Sequence, residues 1–187
     1  MRVVARQLGV DAKSLYNHVE GKDGLLDAVA ENILGGMDIP APTGETGNDL
    51  RAIARAFRAA ALRHPQAATL VLTRQLASYA GLAPVEAVLS VLRAAGFHAE
   101  EAVHLVRTFL ATVIGTVLRE VNAGTTFGVT DVDGIALRRV ALVQSGLPHV
   151  AEAAPYLARL NREAEFDFAL DLTINNLLAR LPSTLPQ

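Results

Sequence analysis

The chain has 187 residues, of which 51% are hydrophobic and 19% charged, so it can bury a sizeable core and is too weakly charged to be disordered. Its 17 Lys and Arg against 19 Asp and Glu give a net charge of −2, which excludes a uniformly basic nucleic-acid coat but permits a local basic patch. The absence of Cys excludes disulfides, Cys-ligated zinc and thiol catalysis. Neither a signal peptide nor an apolar run of the roughly 18 residues that span a membrane is evident, so we expect a cytoplasmic protein without a membrane partner.

The residue pattern predicts an all-α fold, because good helix formers dominate and apolar residues recur at three- and four-residue steps. Glycine and proline clusters divide the chain into helical segments. A first segment ends at Gly9, Asp11 can N-cap the next helix, and Pro84 is expected in the first turn of a later helix. The predicted segments are 1–9, 12–18, 22–34, 49–63, 66–78, 84–95, 99–122, 135–145, 150–160 and 161–181. Residues 35–48 are rich in Gly, Pro and Thr and form the one clear linker in the sequence.

Two of the long predicted helices, 99–122 and 161–181, are apolar around most of their circumference and must be buried on most of it. If a two-fold axis doubles them, they form a four-helix dimer interface. Otherwise both are central helices of a monomer. The candidate interface residues are Val113, Val117, Val121, Phe166, Leu170, Thr173, Ile174 and Leu177.

Residues 1–22 form a predicted helix, a glycine-containing turn and a short polar helix. Apolar residues close a small core between the two helices, and the outer face keeps small or hydrogen-bonding side chains, the mixture that suits a helix in the DNA major groove. The segment carries four basic and two acidic residues, a local charge of +2 in a negative chain. An ordinary helical hairpin with a polar face would show a similar pattern.

The run VARQLGVDAKSLYNHVEGKDGLL, residues 4–26, resembles the DNA-binding domain of the tetracycline-repressor (TetR) family of bacterial transcription regulators. The stretches LRAIARAFRAAALRHP, Thr73-Arg74 and AAGFHAEEAVHLV are similar to the ligand-binding domain of the tetracycline-repressor branch. The resemblance implies an N-terminal helix-turn-helix DNA-binding module over 1–36, a linker over 37–47 and a helical ligand-binding and dimerisation bundle over 48–187. It also implies a ligand-responsive repressor that binds a palindromic operator as a homodimer.

The resemblance assigns roles on the DNA-binding module. Tyr16 and His18 would contact backbone phosphates, as would Lys22 at the start of the next helix, where backbone N–H groups favour anions. Arg2 would reach DNA from the preceding helix. The residues at positions where the family contacts bases are Ala12, Lys13, Ser14 and Asn17. From the residues alone, His18 could equally be a surface histidine and Tyr16 a partly buried core aromatic.

Members of this family carry a further helix and turn before the segment that corresponds to residues 1–8. Without that helix, Val4, Leu8, Val29 and Ile33 lose a covering surface. Two explanations stay open: a start site placed too far downstream, or a truncated form with weakened DNA binding. The second leads to an alternative function, a ligand-binding helical dimer without DNA-binding competence.

The expected effector differs from tetracycline. In the tetracycline-responsive branch a histidine helps to bind the drug's magnesium, and Asn and Gln hold its polar edge; the corresponding positions here are Leu70, Ile53 and Val88. We therefore expect a small, largely apolar effector rather than a tetracycline–magnesium complex. The candidate ligand-binding residues are Ile53, Phe57, Leu70, Thr73, Arg74, Leu76, Tyr79, Val88, His104, Thr108 and Thr112. Thr108, Thr112 and Thr116 form one stripe on the long helix, and the alternative is that they bond to carbonyls of their own helix or are small residues at a helix contact.

An enzyme is the rival class. The sequence contains no H-E-x-x-H, P-loop, Rossmann or nucleophile-elbow motif. Glu100 and Glu101 with His104 could form half of a metal or acid–base site, but the sequence offers no second half on a facing helix. We therefore expect no enzymatic activity, no catalytic residue, no cofactor and no bound metal.

Overall fold

The computed structural model describes residues 1–73, 79–122 and 131–181, and within these ranges the chain is helical and contains no β-strand. The all-α prediction is confirmed. In chain order the helices are α1 (Arg2–Leu8), α2 (Ala12–Tyr16), α3 (Gly21–Gly35), α4 (Thr46–Arg63), α5 (Pro65–Thr73), α6 (Tyr79–Ala94), α7 (Ala99–Val121), α8 (Val132–Val143), α9 (Pro148–Leu157) and α10 (Arg162–Leu178).

Several helix boundaries differ from the predicted ones. Helix α2 ends at Tyr16 rather than at residue 18, and α10 ends at Leu178 rather than at 181. The prediction that Pro84 begins a helix is wrong, because α6 already begins at Tyr79 and Pro84 lies inside it. A proline there removes one backbone hydrogen bond of the helix, which the flanking turns tolerate. Proline does stand at the start of α9, where its missing N–H costs nothing.

The chain divides into two compact units, Met1–Ala94 and Ala95–Gln187. In the first unit, α3 packs against α4, α5 and α6, and α4 packs against α5 and α6. Buried Ala30 and Ile33 of α3 pack against partly buried Val29, Leu34 and Ala67. This division differs from the boundary predicted at 37–47, because α3 shares its core with bundle helices. The functional assignment of 1–36 and 48–187 stays a prediction.

The segment between α3 and α4, residues 36–45, is here called the connector. It is held by Asp49 of α4, the one charged side chain that is buried (6% exposed) in the part of the chain that the structure describes. The Asp49 carboxylate accepts hydrogen bonds from the Thr43 hydroxyl (2.7 Å), the Thr43 N–H (2.8 Å) and the Gly44 N–H (3.1 Å). Gly44 has φ +91°, a conformation that favours glycine.

The hydrogen bonds from Thr43, its hydroxyl foremost, and from the Gly44 N–H lower the pKa of Asp49 below its ordinary value of 3.8, although burial opposes them. A depressed folded-state pKa stabilises the fold above the unfolded pKa, and the effect is lost as the pH falls through the folded value. The Asp49 contacts therefore persist at neutral pH and weaken only below about pH 4.

In the second unit, α7 packs against α10, and α8 packs against α9. The inner faces of α7 and α10 supply the core of the unit. Helix α7 is long and apolar enough to cross a membrane by length and composition alone, and about 33% of that stretch is buried within the chain. The buried side chains of the α7–α10 pair include Leu105, Phe109, Val113, Val117, Phe166, Leu170, Ile174 and Leu177.

Two leucines of α6 provide a matched test of this packing. Leu92 is fully buried and Leu82 is 52% exposed. Leu92→Ala should lower the free energy of unfolding by about 2–5 kcal/mol, because it removes buried methyl groups and leaves a cavity. Leu82→Ala should change it by less than about 0.5 kcal/mol. Urea denaturation followed by circular dichroism measures both, and equal losses would contradict the packing described for α6.

Candidate functional site

The turn between α1 and α2 is built by one glycine and one aspartate. Gly9 ends α1 at φ +69°, and the Val10 N–H donates to the Ala5 carbonyl at 3.0 Å, the long-range bond of a Schellman motif. The Asp11 carboxylate accepts the Lys13 N–H at 2.6 Å and so caps α2. The predicted roles of Gly9 and Asp11 are confirmed, and the two short helices have a defined connection.

Most of the residues predicted to contact DNA are exposed on α1, on or next to α2, and in the first turn of α3. Tyr16 is 55% exposed, so it is a surface residue rather than a core aromatic. Ser14 is half-buried, while the Ala12 side chain lies outside what the structure describes. The other predicted contacts are all exposed: Arg2, Lys13, Asn17, His18 and Lys22. Asn17 and His18 follow the last residue of α2, with the Asn17 N–H still bonded to the carbonyls of Lys13 and Ser14.

Lys22 lies in the first turn of α3, as predicted. Backbone N–H groups at a helix start have no partner within the helix and attract anions, and a lysine there adds a full positive charge. The exposed surface thus combines basic groups with hydrogen-bonding side chains on α1, α2 and the start of α3. Such a surface can contact phosphates and base edges.

The predicted effector residues fall into both compact units. In the first unit, Phe57 and Val88 are buried and Leu70 is half-buried. Buried Ile53 lines a small cavity of about 100 Å³ that residues 39–42 of the connector cover. Arg74 and Leu76 lie outside the described residues, as do the side chains of Thr73 and Tyr79.

In the second unit, the predicted residues His104 and Thr108 line an open groove of about 890 Å³ between α7 and α10. Sequence reasoning did not associate Leu172, Asn176 and Arg180 with this groove, although the four-residue spacing of Leu172 and Asn176 was a signal that they share one face of α10. At one end Arg180 donates from Nε (3.2 Å) and Nη2 (3.0 Å) to Oε1 of Glu101. This pair joins the start of α7 to the end of α10, so the two helices run antiparallel.

The threonine stripe of α7 bonds to its own helix. The hydroxyls of Thr108, Thr112 and Thr116 donate to the carbonyls of His104, Thr108 and Thr112 at 3.0, 3.2 and 2.8 Å. The alternative of bonding within the helix is therefore observed for all three. The Thr173 hydroxyl of α10 lies 3.2 Å from that of Thr112 and also reaches the Ala169 carbonyl at 2.9 Å, which links the two helices through a polar contact.

The predicted dimer-interface residues lie on the α7–α10 pair, and their role stays a prediction. Six of the eight are buried within the single chain: Val113, Val117, Phe166, Leu170, Ile174 and Leu177. Val121 and Thr173 are half-buried. The large apolar side chains that α10 leaves exposed are Phe168 (71%) and Leu172 (56%), one turn apart, and Leu172 lines the groove.

The acidic and histidine side chains near the groove do not form a metal centre. Across residues 1–73, 79–122 and 131–181, no three His, Asp or Glu side chains come together as a set that could hold a metal ion. The half-site suggested by Glu100, Glu101 and His104 thus gains no further ligand among these residues. Glu101 instead pairs with Arg180.

Comparison with known proteins places the chain in a well-defined group. The sequence model of the family described as "Tetracyclin repressor-like, C-terminal domain" matches residues 40–181. An HTH-type transcriptional regulator of Saccharopolyspora erythraea is 36% identical over 121 residues, which are 64% of this chain and 51% of that protein. The HTH-type transcriptional repressor DrrR1 of Streptomyces coeruleorubidus is 30% identical over 138 residues, 71% of this chain and 51% of that protein. The chain spans about half the length of these curated relatives.

Solved structures have the same fold. A possible TetR family transcriptional regulator from Streptomyces coelicolor A3(2) superposes with a TM-score of 0.80 at 30% identity, over 95% of this chain and 88% of that one. ActR of Streptomyces coelicolor in complex with actinorhodin gives a TM-score of 0.80 at 23% identity, over 97% of this chain and 86% of that one. The latter likeness shows the fold alone.

The all-helical fold, the capped helical turn and these matches define the class of helix-turn-helix transcriptional regulators. Within that class, the chain belongs to the tetracycline-repressor (TetR) family.

The Asp11 cap predicts a measurable effect on α2. Asp11→Ala removes the acceptor of the Lys13 N–H and should destabilise α2 by about 1 kcal/mol, whereas Asp11→Asn keeps a capping oxygen and should leave α2 intact. Amide exchange of α2 residues, measured by NMR, reports the difference. Because Asn also removes the negative charge, identical behaviour of the two variants would assign the effect to charge rather than to capping.

Proposed function

We propose that this chain is a ligand-responsive repressor that binds a near-palindromic operator as a homodimer and is released by a small, largely apolar effector. The observation that carries the proposal is the exposed polar surface around α2 in a chain of the TetR family. The proposed site of action is the cytoplasm. The proposal assigns the protein no catalytic step.

The DNA-contact argument rests on exposure and charge. Arg2, Lys13 and Lys22 are exposed basic residues on three successive helices, so each can reach a phosphate without a change in the fold. Lys13 and Asn17 are exposed hydrogen-bonding residues on the short helix and the turn after it, as base contacts require. On a two-fold dimer, two such helices would enter successive major grooves roughly 34–36 Å apart.

The effector argument rests on the character of the predicted positions. Ile53, Phe57 and Val88 are buried apolar residues of the first unit, and none of them can coordinate magnesium or bind a polar edge. An apolar effector suits this lining, and tetracycline–magnesium does not. An effector that prefers a conformer with another spacing of the two α2 helices would release DNA in proportion to its differential affinity.

The dimer argument rests on the exposed face of the α7–α10 pair. Phe168 and Leu172 are large apolar side chains on one face of α10, beside a groove whose α7 side includes Thr108. A second copy related by a two-fold axis would cover this face and complete a four-helix arrangement. The inner face of each pair is already used within its own chain. The proposed interface therefore adds Phe168 and Leu172 to the predicted residues, of which Thr173 and Leu177 line the same groove.

One observation favours the second candidate, a ligand-binding helical dimer without DNA-binding competence. Helix α1 buries only Ala5, while Val3 and Leu8 are exposed together with Val10. An apolar surface of this kind beside the DNA-contacting helix weakens the support of α2. In this reading the effector site and the dimer remain, and the α2 surface does not bind DNA.

DNA binding tests the proposal. The 187-residue chain, and the same chain extended by the codons upstream of Met1, should bind the intergenic DNA that flanks the gene, with affinity that falls steeply between 50 and 200 mM salt. Tyr16→Ala and Lys22→Ala should weaken binding to every DNA sequence. Lys13→Ala and Asn17→Ala should instead change the preference among operator variants by about 1–3 kcal/mol.

Fluorescence anisotropy with the intergenic probe and a shuffled control gives both quantities. Equal losses on every operator variant for all four substitutions would contradict the division between phosphate and base contacts. Failure of both chains to bind, with the dimer intact, would favour the second candidate function.

The dimer face predicts a further result. Leu172→Glu should weaken dimerisation by at least about tenfold, because a charge would be buried in the apolar contact. The matched control is Leu82→Glu, which introduces the same charge at a leucine of similar exposure on α6. Sedimentation velocity measures the dimer fraction. A Leu172→Glu protein that remains dimeric would place the interface elsewhere.

A further inference from the structure

The connector between α3 and α4 is anchored at both of its ends. At its start, Nη2 of Arg63, in the last turn of α4, donates to the Gly36 carbonyl at 3.0 Å. At its end, the Asp49 carboxylate accepts the three bonds from Thr43 and Gly44. Both anchoring side chains come from α4, one near each end of that helix. The connector is therefore held against a single rigid element along its length.

Asp49 is arranged for this contact rather than for capping its own helix. It is the fourth residue of α4, and the N-cap position belongs to Glu45, whose side chain makes no capping bond. The donors to the carboxylate belong to the connector, not to the first turn of α4. A buried carboxylate is costly unless hydrogen bonds compensate it, so three donors at one buried carboxylate indicate a specific link between the two segments.

The connector also packs on the bundle helices. Met37 is buried, and residues 39–42 cover the small cavity lined by Ile53 of α4 and by Ala87 and Val91 of α6. The polar link at Asp49 and this apolar contact lie on the same side of α4. Release of the carboxylate would loosen both, because the connector has no regular secondary structure to hold it otherwise.

The connector continues directly from α3, whose first turn carries Lys22. A 15-residue helix is about 22 Å long, so a tilt of about 10° at its last turn displaces its first turn by about 4 Å. Such a displacement exceeds the tolerance of a hydrogen bond to a phosphate or a base. Fixing the last turn of α3 is therefore necessary for a defined position of the residues at its start.

We propose that Asp49, with Thr43 and Gly44, forms a clamp that fixes the connector and thereby makes α3 and α4 move as one body. Asp49 is then a positioning residue: it sets the orientation of the DNA-contacting helices without touching DNA. The expected effect of the clamp on DNA binding rests on the proposed function. The clamp itself is a property of the fold and has its own readout.

The test compares Asp49→Asn with Asp38→Asn in the full chain. Asp38 is an exposed connector residue, so the control makes the same charge change without the clamp. Asp49→Asn keeps one acceptor oxygen but replaces the other with an NH2 group, which cannot accept an N–H, and it removes the charge that strengthens the remaining bonds. Amide hydrogen exchange should therefore become on the order of tenfold faster in residues 37–45 and several-fold faster in the last two turns of α3. Affinity for the intergenic DNA probe should fall at least about tenfold at unchanged helical content. Asp38→Asn should match the wild type in all three measurements.

Thr43→Val is the second variant, because it removes only the hydroxyl donor and keeps both backbone bonds to Asp49. It should show an intermediate increase in exchange, and it decides the question if Asp49→Asn does not fold. Faster exchange confined to Thr43 and Gly44, with α3 and DNA affinity unchanged, would overturn the clamp and leave Asp49 a local loop contact. If the wild type does not bind the probe, the proposed function fails, and the exchange of α3 alone decides the clamp.

Discussion

The packing of α3 against the bundle helices is the constraint on which the rest of the first unit depends. Ala30 has no exposed surface, and Ile33 packs beside it against Ala67 of α5. Small residues at a helix contact allow close approach, and interiors packed at crystal-like density transmit displacement rather than absorb it. Helix α3 therefore carries the exposed Lys22 in its first turn and also packs against α4, α5 and α6. A change in the bundle cannot leave α3 unmoved.

This arrangement limits the ways in which an effector could act. A flexible tether would let the DNA-contacting helices reorient independently of the bundle, and a bound effector would then have no conformer to select. Here α3 is packed at one end against the bundle helices, and the connector is bonded to Arg63 and Asp49 of α4. Helix α3 therefore acts as a rigid lever rather than as a flexible tether. In this arrangement the coupling free energy comes from the difference in contacts between the two packed conformers. The affinity of the effector by itself does not set it.

The sequence predicted the helices more reliably than their faces. Periodicity and the Gly9 and Asp11 signals depend on local chemistry, and the structure contains every predicted segment with shifted ends. The Asp49 clamp depends on a side chain six residues from Thr43 across a bend, and nothing in the pattern distinguishes it from an ordinary acidic residue in a first helical turn. Likewise, a helix that is apolar all round does not reveal which face its own chain covers. The ring of Phe166 is buried and that of Phe168 is exposed, two positions apart on one helix.

The contrast between these two phenylalanines shows why α10 is apolar on more than one side. The inner face of α10 is filled within one chain by Phe166, Leu170, Ile174 and Leu177. A helix that buries only this face would be polar on its outer face. The outer face instead carries the large, exposed apolar side chains of Phe168 and Leu172. Their exposure to water is unfavourable and brings no benefit to the isolated chain. Their presence is explained if a second surface covers them. In the dimer that we propose, the α7–α10 pair of a second copy, related by a two-fold axis, would supply that surface.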